Sequence, residues 1–233
     1  ALTSLTSGLY NTAMGYEAGQ FATTAASSTF IGFQAAKGIT GAKLTGNANT
    51  VIGDNAGLVL QGAANENTIV GRGAAIGLTT GANNVAIGGA SMGGENAANA
   101  ITGSNNVCVG YLAGYTMEGA SNANTLIGTS AGQNVTTGIH NVMIGTNTGD
   151  AVTTNGSNTL IGYNAGSSVT AALNTMIGYQ AGTDTTATVE GTRNIMIGYN
   201  VRGAAAGTDD QILIGNNFSG TGGNDFAFGK ASN

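Results

Sequence analysis

The sequence predicts an all-β chain, a parallel β-roll or β-solenoid of about thirteen short coils. Three observations carry this. The phrase Asn-Thr-x-Ile-Gly returns about every seventeen residues, as at Asn49–Gly53, Asn124–Gly128, Asn158–Gly162 and Asn174–Gly178. Proline is absent, which suits a backbone whose amides are needed in sheet ladders. Charged residues make up only 7% of the chain, against about 25% in ordinary domains. A repeat this short cannot bury its own apolar face and has to stack on its neighbours. The array covers residues 1–233 as one unit, with coils closing at Gly15 through Gly229. The chain begins at Ala1 and is expected to be a fragment of a longer protein.

Each coil opens on a three-residue strand just before its closing glycine. The strand's first residue (Thr50, Thr125 or Val142, for example) is β-branched in twelve of thirteen copies. Its last residue (Ile52, Ile127, Ile144) is apolar in every copy and shares a face with the first. The middle residue points the other way and is also apolar throughout. A strand apolar on both sides is buried on both sides. The expectation is that the first and last residues face the interior of the coil. The middle residues Val51, Ile69, Cys108, Leu126, Met143, Leu160, Met176, Met196 and Leu213 are then expected to form an interface with other chains.

A second apolar position lies seven residues after the closing glycine, at Ile39, Leu60, Leu78, Met117, Val135, Val152 and Val169. Two inward positions per coil predict a flattened, two-sided roll. Small-Gly pairs such as Ala131-Gly132, and Thr-Thr-Gly runs such as Thr136–Gly138, supply the corners. Asparagine precedes the strand in ten of thirteen copies. Stacked at about 4.8 Å, its amides can form a hydrogen-bonded ladder.

The remaining features exclude several function classes. The six basic residues are scattered along a chain of net charge −5, so no phosphate-binding stripe exists and nucleic acid is not an expected partner. No apolar run approaches the roughly 20 residues needed for a spanning helix, so no membrane insertion is expected in this segment. His140 is the only histidine, and no Ser-His-Asp set or Cys-His pair accompanies it, so no catalytic residue is assigned. Asp209, Asp210 and Asp225 read as turn carboxylates, and no metal site or cofactor is assigned. Cys108 reads as a packed small hydrophobe. Tyr163, Tyr179 and Tyr199 follow the closing glycine in consecutive coils; they are candidates for a stacked row or for contact with a receptor or glycan. Three longer repeats carry extra residues near Lys37–Asn47, Glu95–Ser104 and Asp184–Arg193, where binding loops of solenoids often fall.

The pattern Asn-Thr-x-Ile-Gly-Tyr-x-Ala-Gly with Thr-Thr-Gly spacers, clearest at Asn158–Gly166 and Asn174–Gly182, resembles repeats of bacteriophage tail fibres and related virion appendages. Those often precede a self-cleaving chaperone of the endosialidase type. It is also similar to the Asn-Ser-Val-Ala-Ile-Gly repeats of YadA-like trimeric autotransporter adhesin heads. The likeness spans roughly residues 9 to 229. Threonine in place of serine, longer repeats and the lack of a visible chaperone or anchor are departures. The tyrosine and Thr-Thr-Gly details favour the fibre. The resemblance implies a homotrimeric rod, extracellular on a virion or bacterial surface, serving structure and host attachment through a cell-surface glycan or protein receptor. An ice-binding solenoid is an expectation of another class; it would expose a flat, regular threonine array.

Overall fold

A computed structural model describes residues 1–93, 100–183, 191–204 and 207–230. Its strands are β1 (Thr12–Met14), β2 (Thr29–Ile31), β3 (Thr50–Ile52), β4 (Thr68–Val70), β5 (Val85–Ile87), β6 (Val107–Val109) and β7 (Thr125–Ile127). They continue as β8 (Val142–Ile144), β9 (Thr159–Ile161), β10 (Thr175–Ile177), β11 (Ile195–Tyr199), β12 (Ile212–Asn216) and β13 (Phe226–Lys230). All thirteen lie in one parallel sheet in strict chain order. The chain is thus a parallel β-solenoid, and the described residues contain no helix.

Register is fixed by the motif. Thr125 pairs with Val142, Leu126 with Met143 and Ile127 with Ile144, so equivalent residues of successive coils stack in columns. The opposite wall is thinner. It is made of turns with isolated parallel bridges, such as Ala22 to Leu44, Leu44 to Gly62 and Leu78 to Ile101. The roll is two-sided, but only one side is a continuous sheet.

Two columns explain why the motif has its composition. The closing glycines sit where the backbone of the next coil leaves no room for a side chain. At Gly128, with φ of 132°, an added Cβ would lie 2.5 Å from the carbonyl oxygen of Gly145 in the next coil. No side chain fits there, and an L-residue is also disfavoured by the torsion. The second column is asparagine. The Asn124 amide donates to Asn106 Oδ1 at 3.1 Å and to the Gly138 carbonyl at 2.9 Å. Its own Oδ1 accepts from the backbone N–H of Asn141 at 3.0 Å and from the Asn141 amide at 3.2 Å. Backbone N–H to Oδ1 links of this kind run without a break from Asn49 to Gln211. Each amide in the middle of the run therefore spends its donors and acceptor inside the coil, as burial requires.

The faces of the sheet are the reverse of the sequence expectation. Val51, Ile69, Cys108, Leu126, Met143, Leu160, Met176, Met196 and Leu213 are all 0% exposed within the single chain. They form the chain's own core, joined to Leu60, Leu78, Met117, Val135, Val152 and Val169 across the roll. They are not available to another chain as an interface. The first and last residues of β2–β4 and β6–β10 are instead partly exposed. The physical reason is parity. The asparagine one residue before the strand shares a face with the middle residue, and its ladder lies inside. One further correction falls on the second apolar column. Ile39 is 41% exposed, and Leu44, fully buried, fills the interior of that lengthened coil.

Candidate interaction surfaces

The outward face of the sheet is the most extended surface feature. Its two columns are the first and last residues of every strand. The last-residue column is aliphatic from Ile31 through Ile214, with valine at Val70 and Val109. The first-residue column is threonine in seven of thirteen strands and Val, Ile or Phe in the others. Exposure is graded: Met14 at the first strand is 65% exposed, Ile87 is 38%, and Ile52, Ile127 and Ile161 are half-buried by their neighbours in the column. At about 4.8 Å per strand the face is roughly 58 Å long, and at about 3.3 Å per residue it is roughly 10 Å wide. It carries no charge between Thr29 and Ile214.

Sequence reading missed this surface, because it placed these residues inside. A signal was available. The middle residues vary in shape (Ala86, Cys108, Leu126, Met143), as an interior packed from several sides allows, and flexible methionine fills irregular gaps. The last residues are uniformly Ile or Val from Ile31 through Ile214, without the variation of the interior column.

The tyrosine column is a stack. Tyr163 and Tyr179 have ring centroids 5.3 Å apart with planes 17° from parallel. Tyr179 and Tyr199 are 5.1 Å apart at 8°. Tyr16 and Phe33 repeat the arrangement at 5.4 Å near the other end. Both faces of Tyr179 are covered by its neighbours, which closes that ring to face-on contact with a sugar. All three residues are exposed.

Of the three longer repeats, the first lies among the described residues. It borders an open cavity of about 280 Å³ lined by Phe21, Lys37, Ile39, Leu58 and Val59, among others. Lys37 there is paired with Glu17 at 2.7 Å, and Gln34 donates to the same carboxylate oxygen at 2.7 Å. Lys37 first, then Gln34, holds the Glu17 carboxyl below the usual carboxylate range. In the other two longer repeats, residues 94–99 and 184–190 lie outside the described residues.

The titratable groups serve turns. His140 is an exposed corner residue with φ of 57°. Arg193 donates to Asp210 at 2.6 and 2.9 Å and lies 3.6 Å from Asp209. Asp225 accepts the backbone N–H groups of Thr221 and Gly222. Burial pushes the Cys108 thiol far up, and its sulfur lies 3.5 Å from that of Met117. Among the described residues no group of three or more His, Cys, Asp or Glu side chains converges on a common point.

Comparison with protein-family models, with curated proteins and with solved structures gave no match. The fold and surface define a parallel β-solenoid repeat protein with one long uncharged outer face. Its own residues carry any functional conclusion.

Proposed function

We propose that this chain is a structural and host-attachment segment of a homotrimeric extracellular fibre, with a phage tail fibre on the virion surface as the specific form. The observation that carries the proposal is the outward Thr-x-Ile face. An uncharged β face of about 58 by 10 Å is a liability if left in water. Whatever covers it has to be as long as the array and has to repeat every 4.8 Å or so. A second copy of this chain meets both conditions without further assumption. At about 58 by 10 Å the face covers roughly 580 Å², below the roughly 800 Å² per partner of a standard interface, so surface flanking the two columns has to contribute to the contact in a trimer. Self-association also explains why the last-residue column is so uniform, since every strand then meets an equivalent environment. The tail-fibre assignment rests on the resemblance of Asn158–Gly166 and Asn174–Gly182 to fibre repeats. A bacterial trimeric adhesin head has the same assembly logic.

The outward threonines favour one second reading, an ice-binding surface. Six of thirteen positions in that column are Val, Ile or Phe, which breaks the hydroxyl array. Static light scattering separates the two. The proposal expects a particle of three times the 22.7 kDa chain mass at micromolar concentration. A folded monomer that depresses the freezing point non-colligatively would overturn it in favour of ice binding.

A further inference from the structure

We propose that Tyr163, Tyr179 and Tyr199 form a site of oxidative crosslinking, in which a one-electron oxidant couples Tyr179 to Tyr163 or to Tyr199 within one chain as dityrosine. The proposal does not depend on the assembly described above. It rests on the geometry of the stack. Radical coupling of two phenols is ordinarily limited by their encounter. Here the sheet register removes that step: the rings are held 5.3 and 5.1 Å apart and within 17° and 8° of parallel. Fixing two reacting groups in place converts an encounter into an effectively unimolecular step. Access is not limiting, because the three residues are 45%, 43% and 52% exposed. Their backbones are anchored, with Gln180 N–H bonded to the Tyr163 carbonyl at 2.9 Å and Asn200 N–H to the Tyr179 carbonyl at 2.8 Å. The other described stack provides an internal control. Tyr16 faces Phe33 with the same geometry, but Phe33 has no phenol.

The chemistry balances with a peroxide as co-reactant and a haem peroxidase as its activator. Each of two tyrosines loses one electron and its phenolic proton, breaking the O–H bond and leaving a phenoxyl radical with spin on the ring carbons ortho to oxygen. The two radicals join ortho carbon to ortho carbon. The ring hydrogens at the new C–C bond then move to the two oxygens and restore both phenols. Per crosslink one C–C bond forms, two hydrogen atoms leave the protein, and one hydrogen peroxide is reduced to two waters. Coupling Tyr163 to Tyr179 closes a loop over 16 positions, and coupling Tyr179 to Tyr199 closes one over 20. Either bond staples neighbouring coils along the rod, independently of the hydrogen-bond ladder.

The test uses the full chain, folded and dilute, with a haem peroxidase and one equivalent of hydrogen peroxide. Trypsin cuts after Arg72, Arg193 and Arg202, which places Tyr199 on the peptide Asn194–Arg202 and both Tyr163 and Tyr179 on the peptide 73–193. The expected result is dityrosine fluorescence without any increase in chain mass on a denaturing gel. It includes a species joining 194–202 to 73–193 with the loss of two hydrogens, the bond mapping to Tyr179. Tyr179→Phe keeps an aromatic ring in the stack but removes its phenol, and the joined peptide is expected to disappear. Tyr163→Phe is expected to leave it in place. The proposal is overturned if 194–202 stays unjoined and 73–193 shows no internal loss of two hydrogens that Tyr163→Phe abolishes, if coupling is equally efficient in urea-unfolded chain, if Tyr179→Phe still yields either crosslink, or if the coupling is between chains.

Discussion

Asn124 shows how one side chain holds three coils together. Its amide reaches back to Asn106 and across to Gly138, and its oxygen serves two donors on Asn141. Asn124→Leu fills the space but leaves the Asn141 backbone N–H without its acceptor and takes a donor from the Gly138 carbonyl. Each orphaned buried group costs about 1–3 kcal/mol. We expect a clearly lowered calorimetric unfolding temperature; an unchanged one would mean that the ladder contributes nothing. The corner residues give the opposite sign. Leu173 sits at φ of 63° and is 53% exposed, in a column that elsewhere holds Asn83, Asn105 and Asn224 at φ of 57–61°. A left-handed torsion costs a β-carbon-bearing residue roughly 1–2 kcal/mol, and asparagine tolerates it better. Leu173→Asn is therefore expected to stabilise the chain by up to about 1 kcal/mol in the same assay.

At the scale of the coil, the strands were legible and their facing was not. The strand triplets at Thr50–Ile52 and Thr125–Ile127 lie where the motif puts them, because β-branched residues before an obligatory glycine leave little choice of register. Alternation shows which residues share a face, but both faces here are apolar, so hydrophobicity could not tell inside from outside. The asparagine parity decides it, and only the ladder's geometry makes that visible. Ile39 was misplaced because an insertion shifts the inward position to Leu44 without altering the local pattern. Electrostatics differ along the rod. Between Thr125 and Ile177 the only formally charged residue is Asp150, whereas Asp210 and Asp225 serve the last coils. Arg193 lowers the Asp210 pKa from its ordinary 3.8, and the Thr221 and Gly222 amides lower that of Asp225. A carboxyl whose folded pKa is depressed contributes stability that is present above the unfolded value and lost as pH falls through the folded one. Acidification below the ordinary aspartate range is thus expected to speed amide exchange in β12 and β13, after correction for intrinsic rates, before it does so in β7–β10. Uniform loss of protection along the rod would contradict this.

At the scale of the whole molecule, the described residues build an interior of their own, and the outward face of the sheet carries apolar side chains along the array. Under the proposed assembly, that separates folding from association. The tyrosine stack was legible as a possibility from the spacing of Tyr163, Tyr179 and Tyr199, since residues after the closing glycine have to stack once the strands do. The outer face was not, for the reason given by parity. The central claim, that the middle residue holds the fold while the last residue holds the partner, is tested most directly by two neighbouring substitutions in β7. Leu126 is fully buried, and Ile127 lies on the outward face. Light scattering and circular dichroism of Leu126→Asp and Ile127→Asp, side by side, measure mass and fold together. An unpaired carboxylate forced into the core costs several kcal/mol, so Leu126→Asp is expected to lose β structure. Ile127→Asp is expected to keep the β spectrum and fall to single-chain mass. A folded, dissociated Leu126→Asp beside a trimeric Ile127→Asp would contradict the account.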